Sequence, residues 1–214
     1  MAISTNDAVI TEAFWEAEGQ QIWIKRAVLV VLGVIALAIC AKIKFPLPPS
    51  PVPINLGTFA VLTIGAAYGP RLGAATLLAY MLVGALGFDV FVNSSAENNG
   101  WAYMTGSTGG YLVGFVLATI ALGVFARMGW DRNVGLMAIA MLIGNVIIYA
   151  LGVAWLHALI ADGSLPFMAD KFSSLWQQTL AWGFWPFLIG DALKIVMAAI
   201  LLPVLWKAIG AARA

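Results

Sequence analysis

Asp191 and Lys194 lie inside the apolar stretch 184–206 of a chain that is 62% hydrophobic and only 10% charged. Three positions apart on a helix, the carboxylate and the ammonium project from one face. In a bilayer-spanning helix each charge alone would cost roughly 2.5–3.5 kcal/mol, and such residues commonly mark a substrate or ion path. Two readings follow. The pair could be a self-satisfied ion pair that locks helices together. It could equally receive a small polar ligand that carries both N–H donors and a carboxylate. Gly190, beside them, allows a ligand or another backbone to come close.

A second group is Thr105-Gly106-Ser107-Thr108-Gly109-Gly110-Tyr111, at the start of an apolar run. Its glycines permit a tight turn, and a helix N-terminus presents unpaired N–H groups to an anion or carbonyl. Ser107 or Thr108 could instead act only as the N-cap. Asn98 and Asn99 precede this motif and could hydrogen-bond a ligand or simply build a turn. Tyr149 could line a cavity one turn from Asn145, which reads as interhelical glue. His157 stands alone, so no metal site is expected. The chain has no G-x-x-x-x-G-K-[ST] and no H-E-x-x-H motif. Neither its own ATP hydrolysis nor an enzyme activity is therefore expected, and no cofactor. A basic nucleic-acid patch is likewise missing from the sequence.

These residues are carried by six apolar segments, 27–45, 52–69, 72–92, 109–126, 134–160 and 182–206, each read as a membrane span. The expected architecture is all-α: one six-helix membrane domain over 25–214, preceded by a polar segment, 1–24, that lacks the basic start and apolar core of a signal peptide. With the N-terminus inside, Lys25, Arg26, Arg71, Arg127, Arg132, Lys207 and Arg213 fall inside and Lys42, Lys44 and Lys171 outside. Seven against three obeys the positive-inside bias, so both termini are expected on the cytoplasmic side. The net charge of +1 adds little.

Proline and glycine mark the breaks. Phe45-Pro46-Leu47-Pro48-Pro49-Ser50-Pro51-Val52-Pro53 cannot be regular helix and predicts a stiff outer loop. Outer loops are also expected at 89–107 and 161–181, the latter partly helical, whereas the inner loops are short. Ligand capture is therefore expected from outside. Gly65/Gly69/Gly73 and Gly106/Gly110/Gly114/Ala118 recur at four-residue spacing and permit close helix contact, within the bundle or with a partner. Ala36 and Cys40 form a similar ridge on the first helix.

Several motifs in one order make the chain resemble the BioY family, the biotin-specific substrate-binding (S) components of energy-coupling factor transporters. They are Val52-Pro53-Ile54-Asn55-Leu56-Gly57-Thr58-Phe59-Ala60-Val61-Leu62, Gly69-Pro70-Arg71-Leu72-Gly73, Tyr80-Met81-Leu82-Val83-Gly84, Gly106-Ser107-Thr108-Gly109-Gly110-Tyr111-Leu112-Val113-Gly114-Phe115 and Gly190-Asp191-Ala192-Leu193-Lys194. Two motifs depart from the family pattern: Asn55-Leu56-Gly57-Thr58 stands where Thr-Leu-Gln-Thr is usual, losing a glutamine, and Ser107 replaces a usual proline. The resemblance implies capture of biotin in a bacterial cytoplasmic membrane. It also implies partnership with a transmembrane coupling protein and two ATP-binding subunits. On this reading Asp191, Lys194, Thr108, Tyr111, Tyr149, Asn98 and Asn99 form the binding site. Asp191 would accept from a ureido N–H, and an asparagine of the second outer loop would complete the ring contacts. Lys194 would pair with the ligand carboxylate or neutralise Asp191. The proline-rich loop would close over the site. An S component for another small vitamin and a passive facilitator are the alternatives.

Overall fold

The computed structural model describes residues 8–45, 54–95 and 97–212, with side chains described through residue 210. Its main elements are helices: α1 (Ile10–Phe14), α2 (Gln21–Lys42), α3 (Gly57–Ala85), α4 (Gly100–Met104), α5 (Gly109–Arg127), α6 (Val134–Ala161), α7 (Leu175–Gly183) and α8 (Leu188–Ala212). Two short strands, β1 (Lys44–Phe45) and β2 (Ile54–Asn55), pair antiparallel with Lys44 opposite Asn55. The expected spans at 27–45 and 52–69 are corrected there: Phe45 and Ile54 are strand, and helix begins only at Gly57. Residues 46–53, the proline-rich loop, lie outside the described residues.

α3 is two arms joined at a corner. Gly69 takes φ 77° and ψ 175°, a left-handed φ that glycine alone adopts without strain. Pro70 then opens the second arm, where its missing N–H would have had no helical partner. The arms fold back on each other. A Cβ on Gly73 would lie 3.5 Å from the Gly65 Cα, whereas eight residues of continuous helix would separate them by about 12 Å. The expected spans 52–69 and 72–92 are thus the two arms, the second ending at Ala85 rather than Val92.

α5 is the centre of the bundle. Its glycine face meets α3 and α6 at backbone distance: a Cβ on Gly114 would come within 2.9 Å of the Ile148 Cα, and one on Gly123 would strike the Gly69–Pro70 backbone. The glycine stripes therefore serve packing within this chain. Opposite this interior, α2, α6 and α8 expose rows of large apolar residues, including Val31, Ile35 and Ile39, then Leu142 and Val146, then Leu193, Met197 and Ile200. Among the described residues, four segments are long and apolar enough to cross a membrane: Gln21–Lys42, Gly109–Arg127, Val134–Ala161 and Leu175–Gly210. The expected start of the last span at Trp182 is refined, because α7 ends at Gly183 and a 3₁₀ turn, Trp185–Phe187, precedes α8.

The helix ends define two poles. At one lie the starts of α3, α5 and α8 together with β1 and β2. At the other lie the Gly69 corner, the end of α5 and a 3₁₀ turn, Trp130–Arg132. The second pole is clasped by α1. Val9 and Ile10 join the main apolar core, Thr11 Oγ1 donates to the Ala67 carbonyl at 3.0 Å, and Glu12 pairs with Arg127 at 2.6 Å.

Candidate ligand-binding cavity

At the first pole a partly open cavity forms where α2, α3, α5, α6 and α8 converge. Apolar and aromatic residues make most of its wall, including Tyr80, Phe91, Tyr103, Phe115 and Phe187. Its polar residues are Asn55, Thr58, Thr108, Tyr149, Asp191 and Lys194. An apolar enclosure with a few convergent polar groups is the usual form of a small-molecule site.

The polar core is a closed network around Asp191. Lys194 Nζ donates to Asp191 Oδ1 at 2.9 Å and to Thr58 Oγ1 at 2.8 Å, while Thr58 Oγ1 donates to Asp191 Oδ1 at 3.5 Å. The Tyr149 hydroxyl donates to the other oxygen, Oδ2. Asp191 is 5% exposed and Lys194 8%. Helical spacing sets the pair on one face, and the first turns of α8 and α3 bring Thr58 opposite it. The two charges offset each other, which lets both be buried. A ligand would thus meet a neutral but strongly polar patch that offers donors and acceptors together.

The wall is fixed from behind. The Tyr111 hydroxyl donates to the Gly183 carbonyl at 2.8 Å, so its ring is the part that faces the cavity. Gly152 leaves room for that ring, which a Cβ there would overlap. Thr108 stands at the N-cap position of α5 without a side-chain cap bond and lines the cavity. Phe91 is 1% exposed, stacks on Tyr103 at 4.8 Å between centroids and meets Tyr80 edge-on at 5.3 Å. Gly84 makes space for the Phe91 ring.

Of the sequence-expected site residues, Thr108, Tyr111, Tyr149, Asp191 and Lys194 all line the cavity, and Asn98 and Asn99 do not. Asn98 is tied back to Ser95: Ser95 N donates to the Asn98 carbonyl at 3.0 Å, and Asn98 N donates to Ser95 Oγ at 3.2 Å. Asn99 stands at the N-cap position of the short α4 without a side-chain cap bond, and the far end of α4 sends Tyr103 inward instead. The sequence reading did not assign Asn55, Thr58, Tyr80, Phe91 or Tyr103 to the site. Asn55 Oδ1 accepts from the Gly57 backbone N–H at 2.6 Å. A side chain at position 57 would begin 2.6 Å from that same oxygen, so the Asn55 side chain would have to shift to admit one. His157 stacks on Trp176 at 3.8 Å and contacts Thr179 at 3.1 Å, an α6–α7 packing contact away from the cavity lining.

The mouth is bordered by β1 and residues 88–94. Lys42 pairs with Asp89 at 2.5 Å, and Ser94 Oγ donates to the same carboxylate at 2.6 Å. The Lys42 and Ser94 hydrogen bonds hold the Asp89 carboxyl below its ordinary range. Lys44 Nζ donates to the Val92 carbonyl at 2.6 Å and to Asn93 Oδ1 at 2.8 Å.

Comparison with known proteins agrees with this architecture. The BioY family profile matches residues 11–211. The probable biotin transporter BioY of Pyrococcus horikoshii is 30% identical over 83% of this chain and 93% of that protein. The biotin transporter BioY of Thermotoga maritima is 29% identical over 81% and 92%, and that of Rhizobium etli 27% identical over 93% and 92%. The crystal structure of the S-component for biotin from an ECF-type ABC transporter superposes with a TM-score of 0.70 at 21% identity, covering 89% of this chain and 95% of that one. Sequence match and fold agree, and this chain belongs to the BioY family.

Proposed function

We propose that this chain is the biotin-binding membrane subunit of a vitamin uptake system, with the cavity at the first pole as its binding site. The observation that carries the reading is the Asp191–Lys194–Thr58–Tyr149 network, set among aromatic walls. A ureido ring has two N–H donors and one carbonyl. Asp191 would accept an N–H, and Lys194 or Thr58 would donate to the carbonyl. Both cavity charges are already committed to each other, which favours the neutral ureido head over a carboxylate at this spot. The thiophane ring and the aliphatic tail would lie against Phe91, Tyr103 and Tyr111. Membership of the family, and the biotin specificity stated for the relatives, support the same ligand.

In this proposal six helices cross the bilayer: α2, the two arms of α3, α5, α6 and α8. Both termini lie on the cytoplasmic side of a bacterial inner membrane, so the cavity faces outward. A transmembrane coupling protein with two ATP-binding subunits would drive release inward. The test is retention of labelled biotin by the purified chain, challenged with unlabelled biotin, thiamine and riboflavin. Displacement by biotin alone is expected. Displacement by another vitamin would move the assignment to that ligand, and transport of biotin without retention would favour a passive facilitator.

A further inference from the structure

Resting on the biotin reading, we propose that Lys44, at the cavity mouth, receives the carboxylate of the ligand's tail and so selects the free acid over its neutral derivatives. Lys194 lines the cavity, and Lys42 and Lys44 bond the segment that carries its wall residues Phe91 and Val92. Lys194 is matched by Asp191 at 2.9 Å and Lys42 by Asp89 at 2.5 Å. Lys44 donates only to neutral oxygens among the described residues, the Val92 carbonyl and the Asn93 side chain. Asp89, paired with Lys42, also feels the Lys44 ammonium, so two cations share one carboxylate, and Lys44 stands beside Val92, a residue of the cavity wall.

Position fits the length of the ligand. Lys44 is paired across the sheet with Asn55, and Asn55 lies three residues before Thr58 of the polar network. One strand spacing and three residues of chain place the mouth on the order of 10 Å from that network. A five-carbon acid tail, extended from a ring held at Asp191, covers such a span. The exposed rim also suits the role. A carboxylate left there keeps part of its hydration, whereas the interior would strip it. An ion pair in that setting contributes modestly and weakens with salt.

The experiment compares biotin with biotinamide, its uncharged primary amide, on the purified full chain by calorimetry. For wild type, about a fivefold preference for the acid is expected at low salt, the size of a rim ion pair, fading toward about 1 M salt. Lys44→Gln should bind both ligands equally, and Lys44→Arg should keep the preference. Equal binding of acid and amide by wild type at low salt would overturn the inference, as would an acid preference that survives in Lys44→Gln. Both results leave biotin binding itself intact. If wild type bound neither compound, the biotin reading would fall and this inference with it.

Discussion

Two buried aspartates, one at each pole of the bundle, meet opposite electrostatic settings. Asp191 is held by a lysine, a threonine and a tyrosine, with both carboxylate oxygens engaged. Asp131, in the turn between α5 and α6, is 0% exposed. Its Oδ2 accepts from Trp206 Nε1 at 2.5 Å, while Oδ1 has no hydrogen-bond partner among the described residues. Burial pushes its carboxyl up to about 6, against the opposing pull of the Trp206 hydrogen bond and the nearby Arg132 guanidinium. The same residue type is thus charge-compensated where a ligand would arrive and undercompensated where helices are only joined. Buried charge in this protein is matched at the cavity and tolerated at the clasp.

The comparison can be broken most forcefully at Lys194. Lys194→Ala leaves Asp191 buried without its cation, a cost of about 3–5 kcal/mol. Loss of biotin affinity on the order of a thousandfold is expected in a binding titration. Near-normal binding would mean that the network is structural and the ligand sits elsewhere.

At the other pole the expectation reverses sign. Folded Asp131 keeps its proton up to about pH 6, whereas the unfolded chain releases it near 3.8. Between those values the folded state binds more protons, so raising the pH favours unfolding. Stability from this group is complete below about pH 4 and falls by up to roughly 3 kcal/mol as pH passes 6. Asp131→Asn should remove that slope and melt above wild type at neutral pH, with biotin binding unchanged. Melting curves of both proteins in detergent between acidic and neutral pH read the difference, and parallel curves would contradict it.

Tyr149→Phe sharpens the first arm. It deletes one donor to Asp191 but keeps the ring against Phe184, whose centroid is 5.1 Å away. A hydrogen bond to a charged group contributes about 1.5–3 kcal/mol, so roughly ten- to hundredfold weaker biotin binding is expected by titration, with a melting temperature lower by several degrees. The smallest effect belongs to the clasp. Glu12 and Arg127 side chains are 30% and 38% exposed. Solvent screening limits such a pair to about 1 kcal/mol or less. Glu12→Gln should lower the melting temperature by at most a few degrees and leave affinity unchanged.

Residues whose roles follow from helical spacing were legible in the sequence. Asp191 and Lys194 share a face because they are three apart, and Thr108, Tyr111 and Tyr149 sit on long apolar helices whose order sets their level. The Gly69–Pro70 break was visible as a short turn, though not as a single-residue corner with its arms in contact. What stayed hidden depends on loops and on partners distant in sequence. Asn98 and Asn99 carry suitable amides, yet the tie to Ser95 and the start of α4 claim their backbone and leave them outside the cavity wall. Phe91 and Tyr103 enter the wall because residues 88–94 fold inward onto Gly84, a contact without sequence periodicity. Thr58 became a network member only when α3 met α8, 133 positions away in sequence from its partner Asp191.

The central claim is that the charge pair of α8 holds biotin in the cavity at the first pole. Calorimetric titration of the purified chain and of its Asp191→Asn variant with biotin tests it most directly. Tight saturable binding by wild type and its loss in the variant, with both proteins folded, are expected. Equal binding by the two, or no binding by wild type, would contradict it.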